Sequence, residues 1–472
     1  MIADLKPYPE YRQSGSTWIG NVPTHWEVRS LRTLISPKSD RNGSHLPLLS
    51  VAREKGVFIR SLTDNDENHN VIPEDLSNYK IARAGALVIN KMKAWQGSMG
   101  IAPCDGIVSP AYFVFDFAIS DPRFGQLLLR SKPYVAHFGQ ASDGVRVGQW
   151  DLAIPAMRQI PVLLPPPSEQ AAIVRFLDWA NGRLERAIRA KRKVIALLHE
   201  QKQAIIHKAV TQGLDPNVPK RDSGIRWLGE IPAHWEVRRL RTIVKRIDQG
   251  VSPQASGFLA EGKSWGVLKS GCVNHGVFRQ TEHKQIASDF PIDPNLVVKV
   301  GDVLISRACG SAKLVGSVGK VHALDYKVIL SDKTFRAIFD TSVDSDFMVY
   351  AMNSQYYRLQ VEQAISGAEG MANNLPVSEL KSFIFVVPPT SVEAQHISVH
   401  VACKAEELTR TIARYEREIT LLREYRTRLV ADVVTGKLDV REVALSLPEE
   451  DVPTPEGVVD EAEEPELDES EY

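Results

Sequence analysis

Apolar residues recur three and four positions apart along one long stretch of the chain, residues 168–212. The stretch follows three consecutive prolines, begins with Ser168 as a predicted N-cap, and ends before Gly213, a residue type common after helix C-termini. So narrow an apolar stripe is typical of a coiled-coil seam, and about 45 helical residues would measure roughly 65 Å. The seam positions are Ile173, Leu177, Leu184, Ile188, Ile195, Leu198, Ile205 and Ala209.

The same pattern returns in residues 390–436, with each seam residue 224 positions after its counterpart. The interruptions also correspond, Lys191 with Tyr415 and Lys202 with Arg426. A single helix of this length cannot bury its own stripe, so we predict that the two helices pair. An antiparallel pair would give the repeat a pseudo-two-fold axis. The second set of seam positions is Ile397, Val401, Leu408, Ile412, Ile419, Leu422, Leu429 and Val433.

A second repeat lies ahead of each helix. Residues 14–34 (SGSTWIGNVPTHWEVRSLRTL) and 223–243 (SGIRWLGEIPAHWEVRRLRTI) are identical at 13 of 21 positions. The chain is therefore a tandem duplication of a whole domain plus a helix. The predicted parts are a first domain 1–167, a helix 168–212, a second domain 213–389, a helix 390–436, and an acidic, disordered tail 437–472.

Trp18, His25 and Trp26 stand out within this repeated motif. They could stack on bases or perform acid–base chemistry, or they could form a structural clasp at the start of the domain, with His25 bonded to the backbone. Both copies keep the motif while the middle segments diverge. The sequence therefore favours the structural clasp.

Composition limits the function classes. Apolar residues make up 43% of the chain, and no apolar run is long enough to cross a membrane. Residues 1–10 lack a signal region, so we expect a cytoplasmic protein. Four scattered cysteines without a CxxC argue against a zinc site or disulfides. Without the last 26 residues, which hold 12 acidic and no basic side chains, 57 basic and 46 acidic residues remain, a net charge of +11 that suits a polyanionic partner.

Two strand-like runs, residues 86–90 and 303–306, are each followed by a polar loop that carries Lys, Arg or Gln. Such side chains can contact phosphates and base edges in the major groove, although an ordinary solvated loop would look the same. Other loops of the two middle segments carry similar residues. The candidate DNA-binding residues are Arg53, Lys55, Arg60, Lys91, Lys93, Trp95, Gln96, Arg146 and Gln149 in the first copy, and Lys269, Arg279, Lys284, Arg307, Lys313, Lys333, Asn373 and Asn374 in the second.

Residues 257–264 (GFLAEGKS) match the phosphate-loop pattern. That loop works only between a buried strand and a helix whose N-terminus holds the phosphate. Here a polar loop precedes the match and a strand-like run follows it, so we reject ATP binding. No serine-hydrolase, zinc-protease or S-adenosylmethionine-binding motif is present either. The chain is predicted to be non-catalytic alone, with no metal site and no cofactor of its own.

The repeated start motif, an end motif (Pro-Pro…Glu-Gln…Ile) and a long helix, all occurring twice, resemble the specificity subunit of type I restriction–modification systems. The second end motif differs in having Ala394 where the first has Gln170. The resemblance covers nearly the whole chain. It implies an α+β fold, in which two similar α/β target-recognition domains are separated by two long antiparallel coiled-coil helices in a pseudo-two-fold tandem repeat.

The same resemblance implies function and partners. Each domain would read one half of a bipartite, asymmetric site in double-stranded DNA, and the helices would set the spacer. Two methyltransferase subunits would bring S-adenosylmethionine, and two restriction–translocase subunits would use ATP and Mg. The alternatives are a coiled-coil interaction scaffold without sequence-specific DNA recognition, and a self-sufficient ATPase or nuclease. Basic helix residues that would dock methyltransferases, or merely face solvent, are Arg183, Arg186, Arg189, Lys193, Arg414, Arg417 and Arg423.

Overall fold

The computed structural model describes residues 5–60, 75–146, 149–365 and 373–448, apart from the side chains of residues 145, 146 and 149. Most of the predicted acidic tail lies outside these residues. The chain divides into two compact units. Unit 1 is Met1–Arg189 with Glu418–Tyr472, and unit 2 is Ala190–Arg417. Each long helix contributes one part to each unit.

Unit 1 begins with short strands and three short helices. The strands are β1 (Tyr11–Gln13), β2 (Asn21–Pro23), β3 (Glu27–Ser30), β4 (Ile35–Lys38), β5 (Leu49–Ala52), β6 (Gly56–Ile59), β7 (Lys80–Ala82), β8 (Leu87–Asn90), β9 (Met99–Ile101), β10 (Gly106–Val108), β11 (Tyr112–Phe117), β12 (Ser142–Arg146), β13 (Gln149–Leu152) and β14 (Pro161–Leu164). The helices are α1 (Pro122–Leu129), α2 (Lys132–Gln140), α3 (Ile154–Met157) and then the long α4 (Pro167–Gln212), whose second half lies in unit 2.

An antiparallel sheet in the order β4-β11-β8-β9 lies at the centre of unit 1. Strand β8 is buried on both faces. Leu87 and Ile89 belong to the large core that includes residues of α1 and α2, whereas Val88 belongs to a smaller cluster with Val114 and Leu49. This two-sided burial explains why the sequence here is a continuous apolar run without alternation.

Unit 2 repeats this order of elements. Its strands are β15 (Lys220–Asp222), β16 (Glu230–Pro232), β17 (Glu236–Arg239), β18 (Val244–Gln249), β19 (Gly266–Leu268), β20 (His283–Gln285), β21 (Val303–Ser306), β22 (Ala308–Cys309), β23 (Val318–Lys320), β24 (Val328–Ile329), β25 (Thr334–Phe339), β26 (Asn373–Asn374) and β27 (Ile384–Val387). Its helices are α5 (Ser345–Ala351), α6 (Gln355–Ala364) and α7 (Val377–Ser382), followed by the long α8 (Ser391–Val434), which runs on into unit 1, where α9 (Arg441–Ser446) follows.

The central sheet of unit 2 has the order β18-β25-β21-β23 and matches that of unit 1 strand for strand. Strand β21 is again buried on both faces, with Val303 and Ile305 in the large core and Leu304 in a smaller cluster. The duplication seen at the start motif therefore extends through the divergent middle segments.

The two long helices pack together within each unit, and they run antiparallel. In unit 1 the start of α4 lies against the end of α8, since Leu177 and Leu429 share one buried cluster. Arg426 Nη1 also lies 3.0 Å from Glu185 Oε2. The eight predicted seam positions of each helix are all buried or half-buried. The antiparallel pair predicted from the sequence is confirmed.

In unit 2 the end of α4 lies against the start of α8, with Ala209 and Ile397 in one buried cluster. The ammonium of Lys191 lies 5.1 Å from the ring centroid of Tyr415. These two residues are corresponding interruptions of the seam, and they contact each other. A cation over an aromatic ring buries little charge, so it suits a half-buried seam position.

A carboxylate in the first turn of α4 holds the start motif of unit 1. Glu169 accepts hydrogen bonds from the Tyr8 hydroxyl (2.6 Å) and from Trp26 Nε1 (3.0 Å), and His25 Nε2 lies 2.8 Å from its other oxygen. Gly436, just after α8, packs on the Trp26 ring. The predicted structural clasp is present. The expected backbone partner of His25 is wrong, because a nearly buried carboxylate offers a stronger acceptor.

Unit 2 contains the same clasp. Glu393 accepts a hydrogen bond from Trp235 Nε1 (2.8 Å) and lies 3.1 Å from His234 Nε2. Gly213, just after α4, packs on Trp235. The carboxylate is less protected here, with 33% of the Glu393 side chain exposed against 4% for Glu169. In unit 1 the additional cover comes from Tyr8 and from the segment around α9.

Helix α4 begins at Pro167, one residue before the predicted position. Ser168 therefore lies inside the first turn and is not the N-cap. Proline fits the first helical position because its missing N–H would have no partner there. Gln170 bridges this turn to the rest of unit 1, since its Oε1 accepts from Asp121 N (3.0 Å). Ala394, at the corresponding position of α8, cannot form such a bridge.

The C-terminal residues complete unit 1. Val440 and Leu447, on either side of α9, belong to the large core of that unit. Asp439 N donates to the Lys6 carbonyl (2.8 Å), and the Tyr11 hydroxyl donates to the Gly436 carbonyl (3.1 Å). The first and last described segments of the chain are thus joined by hydrogen bonds.

Candidate nucleic-acid interface

The loop that follows β8 packs against the β12–β13 hairpin. The carbonyl of Lys91 accepts a hydrogen bond from Leu152 N (2.9 Å), and Lys91 Nζ lies 3.0 Å from Asp151 Oδ2. The rings of Trp95 and Trp150 lie 5.0 Å apart and are tilted by 56°. Two segments that the sequence suggested separately therefore form one surface at the end of the central sheet.

Unit 2 has the same arrangement after β21. The carbonyl of Arg307 accepts a hydrogen bond from Leu375 N (2.9 Å), and β22 pairs with β26. Asn373 Nδ2 donates to Gly310 O (3.2 Å). Arg307 N also donates to the carbonyl of Lys333 (2.8 Å), so the tight turn before β25 joins the surface. The backbone scaffold of the two surfaces is alike, whereas their side chains differ.

Most of the predicted DNA-binding residues lie on these two surfaces. In unit 1 they are Lys91, Lys93, Trp95 and Gln96 on the loop, with Arg146 and Gln149 on the facing hairpin, although the side chains of the last two are outside the described residues. In unit 2 they are Arg307, Lys313, Lys333, Asn373 and Asn374.

Other candidates lie on separate hairpins. Arg53 and Lys55 occupy the β5–β6 turn, which Arg130 holds through its Nη2 at 2.6 Å from the Arg53 carbonyl. The turn is exposed, so its side chains reach solvent. In unit 2, Lys269, Arg279 and Lys284 lie along the β19–β20 hairpin and its connection.

A cluster of cations surrounds Tyr112 on unit 1. Lys80 Nζ donates to the Tyr112 carbonyl at 2.6 Å. Burial, Arg41 and Lys91 together lower the pKa of Lys80. Burial raises the pKa of Tyr112, while the charge of Arg60 acts in the opposite sense. Arg41, Arg60, Lys80 and Lys91 are called the basic cluster below.

Sequence analysis missed Arg41 and Lys80, because neither follows a strand-like run. Lys80 lies within β7, and Arg41 lies in a loop tied to that strand by a hydrogen bond from Ile81 N to the Asp40 carbonyl (2.7 Å). A Cβ on Gly43 would lie 2.8 Å from Ile81 Cγ1, so glycine lets this loop approach the strand closely. Only the fold brings the two cations together.

The phosphate-loop match has no phosphate-binding structure. The next element after residues 257–264 is strand β19, not a helix. The backbone N–H of Ala260 donates to the buried His283 Nε2 (3.0 Å) and is not free for a phosphate. Across the described residues, no three His, Cys, Asp or Glu side chains are grouped as metal ligands. Nor does that part of the chain contain a helix long and apolar enough to span a bilayer.

Two units with the same order of elements and a pair of long antiparallel helices also occur in a solved chain of similar fold. That solved chain, from a study of complex assembly and conformational transition in a type I R-M system, has a TM-score of 0.64. It is 15% identical, and the match covers 88% of this chain and 99% of that chain. No protein-family model matches.

Curated relatives point to the same class. The Escherichia coli type I restriction enzyme EcoEI specificity subunit is 28% identical over 171 residues, 36% of this chain and 29% of that protein. The MjaVIII specificity subunit of Methanocaldococcus jannaschii is 26% identical, covering 60% of this chain and 63% of that protein. The putative MjaX specificity subunit of the same organism is 23% identical, covering 93% and 100%.

The resemblance predicted from the repeated motifs is thereby confirmed: the chain is similar to type I restriction enzyme specificity subunits. The alignments span less than a third of the first relative and less than two thirds of the second.

Proposed function

We propose that this chain is the DNA-recognition subunit of a type I restriction–modification complex. Each unit reads one half of a bipartite, asymmetric site. The observation that carries the proposal is the repeated hydrogen bond from Leu152 to Lys91 and from Leu375 to Arg307. One backbone scaffold holds both loop surfaces, while the first surface presents a tryptophan pair and the second presents amides and cations. Such surfaces suit different base edges.

Partner subunits perform the methylation and the DNA cleavage. Two methyltransferase subunits carry S-adenosylmethionine, and two restriction–translocase subunits use ATP and Mg. The chain contributes recognition and geometry, which agrees with its lack of a recognised catalytic motif. The paired helices set the distance between half-sites. The basic residues of α4 and α8 outside the seam, such as Arg186 and Arg417, offer docking sites for the methyltransferases.

Selection from a random duplex library tests the proposal. The full-length chain, alone and with its methyltransferase partners, should enrich one motif with two unlike halves at a fixed salt concentration. Trp95→Ala should relax one half only, and Asn374→Ala should relax only the other. Lys38→Ala, a change on an edge strand outside both surfaces, is the control and should leave the motif unchanged. If no sequence is enriched under either condition, the coiled-coil scaffold is the better description.

A further inference from the structure

The ammonium of Lys80, in the basic cluster, has no counter-ion among the described residues of unit 1. Within the described part of unit 1, Lys80 has no carboxylate partner and donates to the backbone carbonyl of Tyr112. The two charges that act on it, Arg41 and Lys91, are both cations, and with burial they lower its pKa. Holding a half-buried cation among other cations is unfavourable unless an anion joins them.

The surrounding groups leave this positive charge largely uncompensated. Lys91 has one carboxylate within ion-pair distance, Asp151 at 3.0 Å. Arg41 is exposed and donates to the neutral side-chain oxygen of Asn78 at 3.3 Å. Among the side chains of unit 1 that the structure describes, Asp151 is therefore the one carboxylate paired with any of the three cations Arg41, Lys80 and Lys91. The backbone brings their segments together, since Tyr112 pairs with Asn90, the residue before Lys91, and Ile81 N, next to Lys80, donates to the carbonyl of Asp40, next to Arg41.

Unit 2 has no equivalent of Lys80. Ile81 in β7 and Val297 in unit 2 make corresponding pairings, with β10 and β24 respectively. The residue before each is therefore equivalent, and in unit 2 it is Leu296. Leucine offers neither charge nor a hydrogen-bond donor at this position.

A cation that contacts the backbone on either side of Leu296 is already neutralised. Arg336 is 7% exposed and lies 2.7 Å from Asp248 and 3.2 Å from Asp302. Its guanidinium also donates to the carbonyls of Asn295 and Val297. Every face of this guanidinium is directed to an internal acceptor, so it is not available to an external anion.

We propose that Arg41, Lys80 and Lys91 bind one phosphate of the DNA backbone at the half-site read by unit 1, and that unit 2 makes no such contact. This inference rests on the proposed DNA-recognition function. A phosphate contact carries no sequence information but fixes the register of the domain on the duplex. This phosphate contact would then add an electrostatic contribution to the binding of the half-site read by unit 1, and the other half-site would have no equivalent contribution.

The salt dependence of binding tests this phosphate site. The dissociation constant of the full-length chain for a duplex with the selected motif would be measured between 50 and 200 mM KCl. Lys80→Met should lower the slope of log K against log salt by part of the roughly 0.9 that one neutralised phosphate contributes, and the triple variant Arg41→Gln, Lys80→Met, Lys91→Met should lower it by about the full amount. Lys38→Met removes one charge that is already paired with Asp116 (3.0 Å) and should leave the slope unchanged. An unchanged slope for Lys80→Met overturns the inference.

Substituted duplexes locate the contact. Replacing backbone phosphates one at a time by neutral methylphosphonates should reveal one position, beside the half-site read by unit 1, that weakens wild-type binding more than Lys80→Met binding and leaves binding of the triple variant unchanged. Lys80→Arg should restore the wild-type slope, which a purely structural role for the lysine would not produce. If no such position exists, and inorganic phosphate at matched ionic strength stabilises the wild type but not Lys80→Met, the site binds free phosphate and the DNA assignment is wrong.

Failure of the DNA-recognition function can be distinguished from failure of the phosphate site. Phosphate contacts do not depend on sequence, so the slopes can also be compared on an unrelated duplex. A chain without any sequence preference, in which Lys80→Met still lowers the slope, would refute the recognition function and retain the phosphate site. If the chain selects a motif but the wild type and Lys80→Met have equal slopes, the phosphate site is refuted and the recognition function is retained.

Discussion

Trp26 and Glu169, separated by 143 residues of sequence, are joined by a hydrogen bond of 3.0 Å from the indole Nε1 to the carboxylate. The same ring packs under Gly436. One buried side chain thus contacts the start of α4 and the end of α8. Trp235 makes the corresponding two contacts in unit 2.

The clasp carboxylates should contribute unequally to stability. Glu169→Gln removes the charge from an acceptor that serves three donors at 4% exposure. We expect it to lower the free energy of unfolding by about 1.5–3 kcal/mol, as for hydrogen bonds to charged groups. Glu393→Gln, at a more exposed carboxylate, should have a smaller effect. Urea denaturation followed by tryptophan fluorescence measures both, and equal losses would contradict this account.

The glycines after the long helices form a second matched pair. Gly213 and Gly436 have φ of 73° and 76°, a region that disfavours other residues by about 1–2 kcal/mol. A Cβ on Gly436 would also lie 2.6 Å from Pro23 Cδ, whereas on Gly213 the nearest atom, in Trp235, is 3.4 Å away. Gly436→Ala should therefore be the more damaging change. The measurement is thermal unfolding, and the prediction fails if Gly213→Ala has the lower midpoint.

Two partly buried histidines should make stability depend on pH. Burial lowers the pKa of both His137, which stacks on Trp18, and His207. Between the lowered native pKa and the unfolded value of about 6.5, the unfolded chain binds more protons. Stability is therefore full above that window and declines as the pH falls through it. The double variant His137→Phe, His207→Leu should lose less stability than the wild type between pH 7.5 and 5.5.

Thermal unfolding at the two pH values measures this difference. His322→Gln, a change at an exposed imidazole of unit 2, is the control and should unfold like the wild type. A double variant with the wild-type pH dependence would show that other groups are responsible.

Helix length should set the spacer of the DNA site. Residues 191–197 and 410–416 face each other in the antiparallel pair, as the contact between Lys191 and Tyr415 shows. Deleting both heptads preserves the seam and shortens the helices by roughly 10 Å, about three base pairs. Library selection should return both half-sites with a shorter spacer. Recovery of the original spacing would refute the helices as the measuring element.

The long helices could be predicted because their signal is local. A stripe of period three and four needs only nearby residues, and the 224-residue offset supplied the partner. Strands β8 and β21 were recognised for the same reason. One detail differed: Ile206, next to the predicted Ile205, is the more deeply buried of the two near the end of α4. Packing against the unit 2 core, rather than the helix seam alone, determines which side is covered there.

The pairings that assemble the candidate interface could not be predicted. Lys91 and Leu152 are far apart in sequence, and an apolar run does not specify which backbone groups it will meet. Lys80 looks like any polar residue of a half-buried strand, since its cationic neighbours come from other elements. Glu169 is the glutamate of the first end motif, and its partners Tyr8, His25 and Trp26 lie more than 140 positions away in the sequence, so a local pattern cannot reveal them.

Unit 2 is a continuous stretch of chain, whereas unit 1 needs residues from both ends, among them Val440 and Leu447 in its core. During synthesis from the N-terminus, all of residues 190–417 are therefore made before the segment that closes unit 1 exists. The half encoded first is the half completed last. A message truncated after codon 417 would yield a polypeptide with every residue of unit 2 but without the C-terminal segment that completes unit 1.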